Sequence, residues 1–472
     1  MQYRTGDGNG QRRPPVLQGL GIRGGNDPRT ALRWALPDER RGPSLVAVDI
    51  GADDLELLTR FVLKLGGYAE GLFDYHDFGF PKAVLKRHID AVADGLERQK
   101  ESRDNPSVNL RPPNLPDSAV WEETDETWNY GQSLRFAAGA SMVTQRYRNQ
   151  ISPENLRSAF VAKVLHECQA GILDDLVDKG RYTFIEAKDL YHHCFVSMID
   201  PGFEINTFRK ELALILKQEQ LSMFDLMTSI TAGFNHLIQS SPNGPDLFYE
   251  MERVNERVIL GQALTMFQKQ PTLDLRKLRR ISSGFPAPSP DVAWHERLSS
   301  YVSHATNHSL IDMCFWDRPV PDEEIRALAE AWYYYDIVIV HLNNIVGLHK
   351  DLRGGLVNLA LISMREPELM DLTTVQGYNP NLTMEDYDAQ FARTADYSRR
   401  AIEAATSGVE DGDLFYPFLT IMIPVVMMAD WIGNRDNMIH RYLQCIAPSV
   451  RKAASAVAAP RSAQAPIATE TR

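Results

Sequence analysis

The chain has 472 residues, 44% of them apolar and 24% charged, with a formal net charge of −12. That is enough apolar chain for one large core or two smaller ones, and the acidic balance excludes a nucleic-acid partner, because phosphate contacts need a basic surface. It leaves an anionic small substrate open, since a few metal ions invert a local field.

Residues 1–45, rich in Gly, Arg and Pro and without helical or strand period, are expected to be disordered. The opening run MQYRTGDGNGQRRPP has no apolar segment of the secretory kind, so a cytoplasmic location is expected. From 46 to 452 the chain reads as helices forming a single α-helical domain, interrupted by the Pro/Asn-rich stretch at 101–118. One helix opens at Ser152 as N-cap with Pro153 in its first turn. Its apolar residues Leu156, Phe160, Val161, Val164, Leu165, Cys168 and Ile172 follow the helical period, and Gly180 stops it. A second begins near Pro321, with the acidic first turn Asp322-Glu323-Glu324 that the helix dipole favours, and runs to Gly354-Gly355. A third, about 414–433, is strongly apolar and ends at Gly433. Its most apolar run, 418–429, is shorter than the about 20 residues of a membrane span. Residues 453–472 are expected to form a loose tail. No alternation of strands, Gly-rich phosphate loop or fixed repeat is visible. Cys168, Cys194, Cys314 and Cys445 lie far apart without paired spacing and are expected to be buried free thiols.

Three groups of residues carry chemistry. Asp174, Asp175 and Asp178 sit at the C-terminal end of the first helix, where they repel one another and the negative end of the dipole. A cation relieves that repulsion, and hard oxygen ligands of this kind suit Mg²⁺. On the second helix Asn343, Gly347 and Asp351 fall at i, i+4 and i+8 on one face, so that Asn343 and Asp351 bracket a position for another ion. Third, Trp431, Gly433 and Asn434 precede the pair Arg441-Tyr442, which offers a guanidinium fork and a hydroxyl to phosphate oxygens.

This ordered set resembles the class I terpene synthase family of the bacterial type, over roughly residues 150–450. That family has an aspartate-rich DDxxD motif, then an (N/D)Dxx(S/T)xxx(E/D) motif often with Lys before the last acid, then an Arg-Tyr pair. Here they match Asp174–Asp178, Asn343–Asp351 with Lys350, and Arg441-Tyr442. The family's diphosphate-sensing Arg would fall on Arg297 in WHERLSSY, with Arg279, Arg280 and Arg318 as alternatives. Three positions depart from the pattern: Asn344 stands for Asp, Gly347 for Ser or Thr, and Asp351 for the commoner Glu. At Gly347 a water or a shifted ion must replace the missing hydroxyl.

The resemblance implies an all-α antiparallel bundle around a deep central cavity, acting on an isoprenoid diphosphate of C15 to C25, farnesyl or geranylgeranyl diphosphate foremost. About three Mg²⁺ ions, with Mn²⁺ as an alternative, would be held by Asp174, Asp175, Asp178, Asn343, the Gly347 position and Asp351. Arg297, Lys350, Arg441 and Tyr442 would bind the diphosphate. Trp332 and Tyr335 would face the cation through their rings. His166 and His341 read as satisfied interior residues rather than ligands. Expected partners are the substrate and, at most, a second copy in a homodimer, with no nucleic acid and no membrane span. Two alternatives stay open: a prenyl-chain condensing or head-to-head synthase, and a non-catalytic isoprenoid-binding relative.

Overall fold

A computed structural model describes residues 49–99, 107–112, 115, 128–269, 274–374, 378–406, 414–429 and 436–458. The 1–45 segment and the Trp431–Asn434 stretch singled out in the sequence lie outside the described residues. In chain order the helices are α1 (Ala52–Leu72), α2 (Lys82–Gln99), α3 (Tyr130–Val143), α4 (Pro153–Lys179), α5 (Phe184–Ile199), α6 (Ile205–Ile215), α7 (Phe224–Ser240) and α8 (Phe248–Lys269). They continue as α9 (Leu275–Ser282), α10 (Trp294–Val302), α11 (Thr306–Cys314), α12 (Asp322–Arg353), α13 (Leu359–Leu369), α14 (Met384–Thr406), α15 (Phe415–Met427) and α16 (Asp436–Ala458). The fold is mostly helical, as expected.

One feature the sequence did not announce is a short parallel pair, β1 (Asp49–Ile50) with β2 (Ser107–Val108), Asp49 lying opposite Ser107. Asp54 in the first turn of α1 accepts the Leu110 backbone N–H at 3.0 Å and the Tyr130 hydroxyl, which ties this strip to α1 and α3. A second difference is at the end of the chain. Residues 453–458, expected to begin a loose tail, continue α16, because Ala-Ala-Ser-Ala-Val-Ala favours helix once the preceding turns are packed. Among the cysteines, Cys168, Cys194 and Cys314 are buried free thiols, but Cys445 is exposed on α16.

The helix α4 forms as its sequence directs. The Ser152 hydroxyl accepts the Asn155 N–H, Pro153 fills the first turn and Gly180 caps the end. Such a cap contributes about 1 kcal/mol. The spacing of its apolar residues suggests a one-sided helix, yet every residue from Ala159 to Ala170 is buried. Neighbours α3, α5, α7 and α11 pack around it, so its polar side chains need partners inside the core. Lys163 is the clearest case. Its ammonium donates to Asp312 at 2.5 Å, to Thr144 at 2.7 Å and to the Ala140 carbonyl at 3.0 Å, which uses all three donors. Burial pushes Lys163 down and lifts Asp312 to about 6. Removing either partner would strand a buried charge, at a cost of about 3–5 kcal/mol.

The long helix α12 runs between Pro321 and Gly354 with three acids in its first turn, matching the sequence reading. Gly355, at φ +73, reverses the chain toward α13. Residues Ala331 to Val338 are buried, where α12 packs on α10 and α14. The apolar third helix is α15, buried along its whole length. Among the described residues no helix is long and apolar enough to cross a membrane.

Candidate active site

A cavity of about 300 Å³ opens between α3, α4, α8, α12 and α15 and the α10–α11 turn. On α4 the lining residues are Glu167, Ala170, Gly171, Asp174 and Asp178, one face of the helix. Glu167 is buried and Asp174 and Asp178 are exposed, so this face leads from the interior to solvent over eleven residues, about 16 Å. On α12 the lining runs from buried Trp332 through Ile339 and Val340 to Asn343, Asn344 and Asp351. Apolar side chains of α15, among them Leu419, Met422 and Val426, close another wall. Phe136, Tyr191, Phe195 and Trp332 contribute rings.

Two sequence-distant motifs therefore meet. Asp174 and Asp178 from α4 and Asn343 and Asp351 from α12 all border one cavity, near the C-terminal ends of their helices. Each such end carries the negative pole of a helix dipole, which adds to the carboxylates. The rim is thus a region of negative potential lined by hard oxygen donors. An anion enters such a rim only in company with cations, and Mg²⁺ is the ion this donor set suits. The residues present fit the metal that the motifs imply.

Two of the departures in the α12 motif, Asn344 and Asp351, have structural roles. The Asn344 side-chain oxygen accepts the Leu359 N–H at 2.8 Å, and its carbonyl accepts the Asn358 amide at 2.8 Å. The same Asn358 amide donates to Asp351 Oδ2 at 2.8 Å, and its own oxygen caps α13 through the Leu361 N–H. Asn344 and Asp351 thereby pin the turn that begins α13 against the rim. Asn358, which the sequence reading did not single out, is the hub of that arrangement.

Other expected site residues stand elsewhere. Asp175 turns away from the cavity lining and accepts the Asn129 backbone N–H at 2.6 Å, with Lys179 at 3.4 Å. Burial raises its carboxyl above the ordinary value despite those partners. Arg297 donates to the Val292, Ser283 and Phe285 carbonyls at 2.9–3.1 Å, stitching the preceding loop onto α10. Arg441 pairs with Asp388 on the surface. Tyr442 is fully buried with its hydroxyl 2.8 Å from Ser398. Tyr335 bonds Thr420 at 3.0 Å and backs the Trp332 ring edge-on at 5.7 Å. Lys350 is exposed, and neither it nor Gly347 is among the lining residues. Of the proposed set, the cavity collects Asp174, Asp178, Trp332, Asn343 and Asp351.

No protein-family model matches this chain, and no curated protein does either.

Sequence reasoning also passed over the polar residues deep in the cavity, Glu167, His304 and His308. His304 donates to Glu167 Oε1 at 2.9 Å, and His308 donates to the same oxygen. Burial alone would raise the Glu167 carboxyl, but His304, His308 and His166 together hold it well below its ordinary value. Burial lowers His308, while in His304 it is outweighed by Glu167, so His304 is raised. The one local signal was spacing: Glu167 lies seven residues before Asp174 on the same helical face, and His304 four before His308.

Proposed function

We propose that the chain is a metal-dependent enzyme of the class I terpene synthase type, which ionises a linear isoprenoid diphosphate of C15 to C25 inside this cavity. The observation that carries the reading is the meeting of Asp174 and Asp178 with Asn343 and Asp351 on the rim of a cavity walled mostly by apolar and aromatic side chains. A polar, cation-seeking entrance above an apolar pocket suits a substrate with a diphosphate head and a hydrocarbon tail.

Asp174, Asp178, Asn343 and Asp351 would hold Mg²⁺, which supplies electrostatic stabilisation of the departing diphosphate when bound. The residues of this chain do the rest. Leu419, Met422 and Val426 exclude water and fold the prenyl chain. Trp332, Tyr191 and Phe195 present rings to the positive charge left on carbon. Asn358 holds Asp351 in place from behind. Departure of diphosphate leaves an allylic cation, and loss of a proton or capture of water ends the reaction. The Tyr442 hydroxyl, engaged with Ser398 in the core, is given no part in it.

The test is incubation with C10, C15, C20 and C25 diphosphates plus Mg²⁺, followed by measurement of released diphosphate and of hydrocarbon products. Release that needs Mg²⁺ and disappears in Asp174→Asn and Asp178→Asn is expected. A condensing enzyme would release diphosphate only when a homoallylic or second allylic partner is added. Absence of release with every substrate, alone or paired, would leave a binding protein, and release that persists in both variants with EDTA would remove the assignment.

A further inference from the structure

A buried carboxylate that receives two imidazoles on one oxygen, at the edge of an apolar cavity, is not required by packing. Burying such a group costs free energy, and apolar residues of similar volume are commonly as stable or more so. Glu167 on α4 is 2% exposed, and its Oε1 is met by Nε2 of both His304 and His308 from the α10–α11 turn and the start of α11. With one ring nitrogen of His166, these candidate ligand atoms lie within 4.8 Å of one another.

The hydrogen bonds around His166 assign its part. The Asn255 amide donates to the Phe195 carbonyl at 3.0 Å, which turns its oxygen toward Asn307. Asn307 must then present its amide nitrogen, which donates to Asn255 at 2.9 Å and to His166 Nε2 at 3.2 Å. His166 Nε2 is therefore an acceptor and the ring proton sits on Nδ1. That Nδ1 is buried, has no hydrogen-bond partner, and lies 3.7 Å from Glu167 Oε1. His166 thus turns its N–H toward the carboxylate from behind, just beyond hydrogen-bond distance. The remaining three side chains, Glu167, His304 and His308, are the ones that border the cavity.

We propose that Glu167, His304 and His308 form a metal site for a divalent transition ion such as Zn²⁺, on the inner wall of the cavity and separate from the oxygen donors at its rim. Two imidazoles and one carboxylate suit Zn²⁺ or Fe²⁺ better than Mg²⁺. Tetrahedral ligand bonds of about 2.1 Å place donor atoms about 3.4 Å apart, so the 2.9 Å between His304 Nε2 and Glu167 Oε1 opens by about 0.5 Å as an ion enters. On binding, a neutral His304 or His308 carries its single ring proton on Nδ1 and offers Nε2 to the ion, while a ring that was protonated on both nitrogens releases its Nε2 proton to solvent. The ion keeps positions facing the cavity, where water or an oxygen of the occupant coordinates. His166 supplies the supporting contact behind the carboxylate. The inference does not depend on the diphosphate reading.

The experiment uses the full chain with any affinity tag removed, stripped with EDTA and titrated with Co²⁺. A visible d–d band that saturates at one ion per chain, is displaced by Zn²⁺ and is untouched by excess Mg²⁺ is expected. Glu167→Gln and His304→Ala should abolish the band, while the double variant Asp174→Asn/Asp178→Asn keeps it. His166→Phe, which preserves the ring packing against Phe195 and Phe234, should weaken Co²⁺ affinity on the order of 10- to 100-fold without abolishing it. Failure of the unmutated protein to develop the band overturns the proposal. So does a band that survives in His304→Ala or vanishes in the rim variant. Because the first readout is on the unmutated chain, misfolding of a variant cannot shield the proposal.

Discussion

Single residues on the cavity rim carry separable expectations. A Cβ built at Gly347 would stand 3.4 Å from Asp351 Oδ2, ordinary contact, so a serine fits there and brings its hydroxyl beside the α12 carboxylate. Gly347→Ser is expected to lower the Mg²⁺ concentration for half-maximal rate by roughly three- to tenfold, the worth of one added contact of about 1 kcal/mol. Asp351→Ala should stop turnover. Initial rates against Mg²⁺ for the three proteins decide it, and an unchanged Mg²⁺ requirement in Gly347→Ser would remove the α12 face as an ion site. Tyr442 gives the opposite expectation. Tyr442→Phe removes a buried hydroxyl bonded to Ser398, so it should lower stability by about 1 kcal/mol in urea unfolding while diphosphate release per folded molecule stays the same. Arg441→Ala loses only an exposed pair with Asp388, worth less than about 1 kcal/mol, so a large loss of turnover there would mean that Arg441 reaches the substrate.

Between elements, the contact of α10 with α14 is set by one carboxylate. Glu296 is 1% exposed and receives Arg393 at 2.8 and 2.9 Å together with the Tyr397 hydroxyl. Burial would raise its carboxyl, but Arg393 and the neighbouring His341, His295 and Tyr397 bring it down to about 2. A carboxyl held below its unfolded value contributes stability above that value and loses it as pH falls. For Glu296 that window runs from about 4.5 down to about 2 and spans roughly 3 kcal/mol. Unfolding free energies at both ends of the window should fall less steeply in Glu296→Gln than in the parent, and an equal slope would show that this carboxylate is not the sensitive group. The crossing of α8 with α10 depends on close backbone approach instead. A Cβ at Gly261 would lie 2.2 Å from the Tyr301 carbonyl oxygen. Backbone on both sides cannot yield, so Gly261→Ala should cost at least about 1–3 kcal/mol and depress the melting temperature.

At the scale of the whole molecule, the cavity exists because helices distant in sequence leave a gap that their side chains do not fill. Its depth is governed where α3 faces α15. A Cβ at Gly139 would come within 3.2 Å of both Val426 methyl groups, so a larger side chain there narrows the apolar wall. Gly139→Val is expected to shift turnover toward shorter diphosphates, read as the ratio of C15 to C20 and C25 rates in one assay. An unchanged ratio would mean that the tail lies elsewhere.

Much of this was legible in the sequence, and for local reasons. The limits of α4 and α12 follow from Ser152, Pro153, Gly180, Pro321 and Gly354, because caps and breakers act within a few residues. The repulsion among Asp174, Asp175 and Asp178 is also local, and the turn of helix it marks borders the cavity. Their division was not local. Asp174 and Asp178 border the cavity while Asp175 holds the Asn129 N–H just before α3, because a step of one residue rotates a side chain by about 100° around the helix and only the neighbouring chain decides what each face meets. Arg297 and Tyr442 were placed by interval and motif, yet what each side chain bonds to depends on a loop and on a helix far away in sequence. The cluster of Glu167, His304 and His308 was hidden for the same reason: its donors come from segments well over a hundred residues apart. Residue identity and spacing alone determined a mostly helical chain with acidic helix ends. Which of those side chains share a cavity was decided by packing, since burial and electrostatic pairing act through space between segments that the sequence keeps apart.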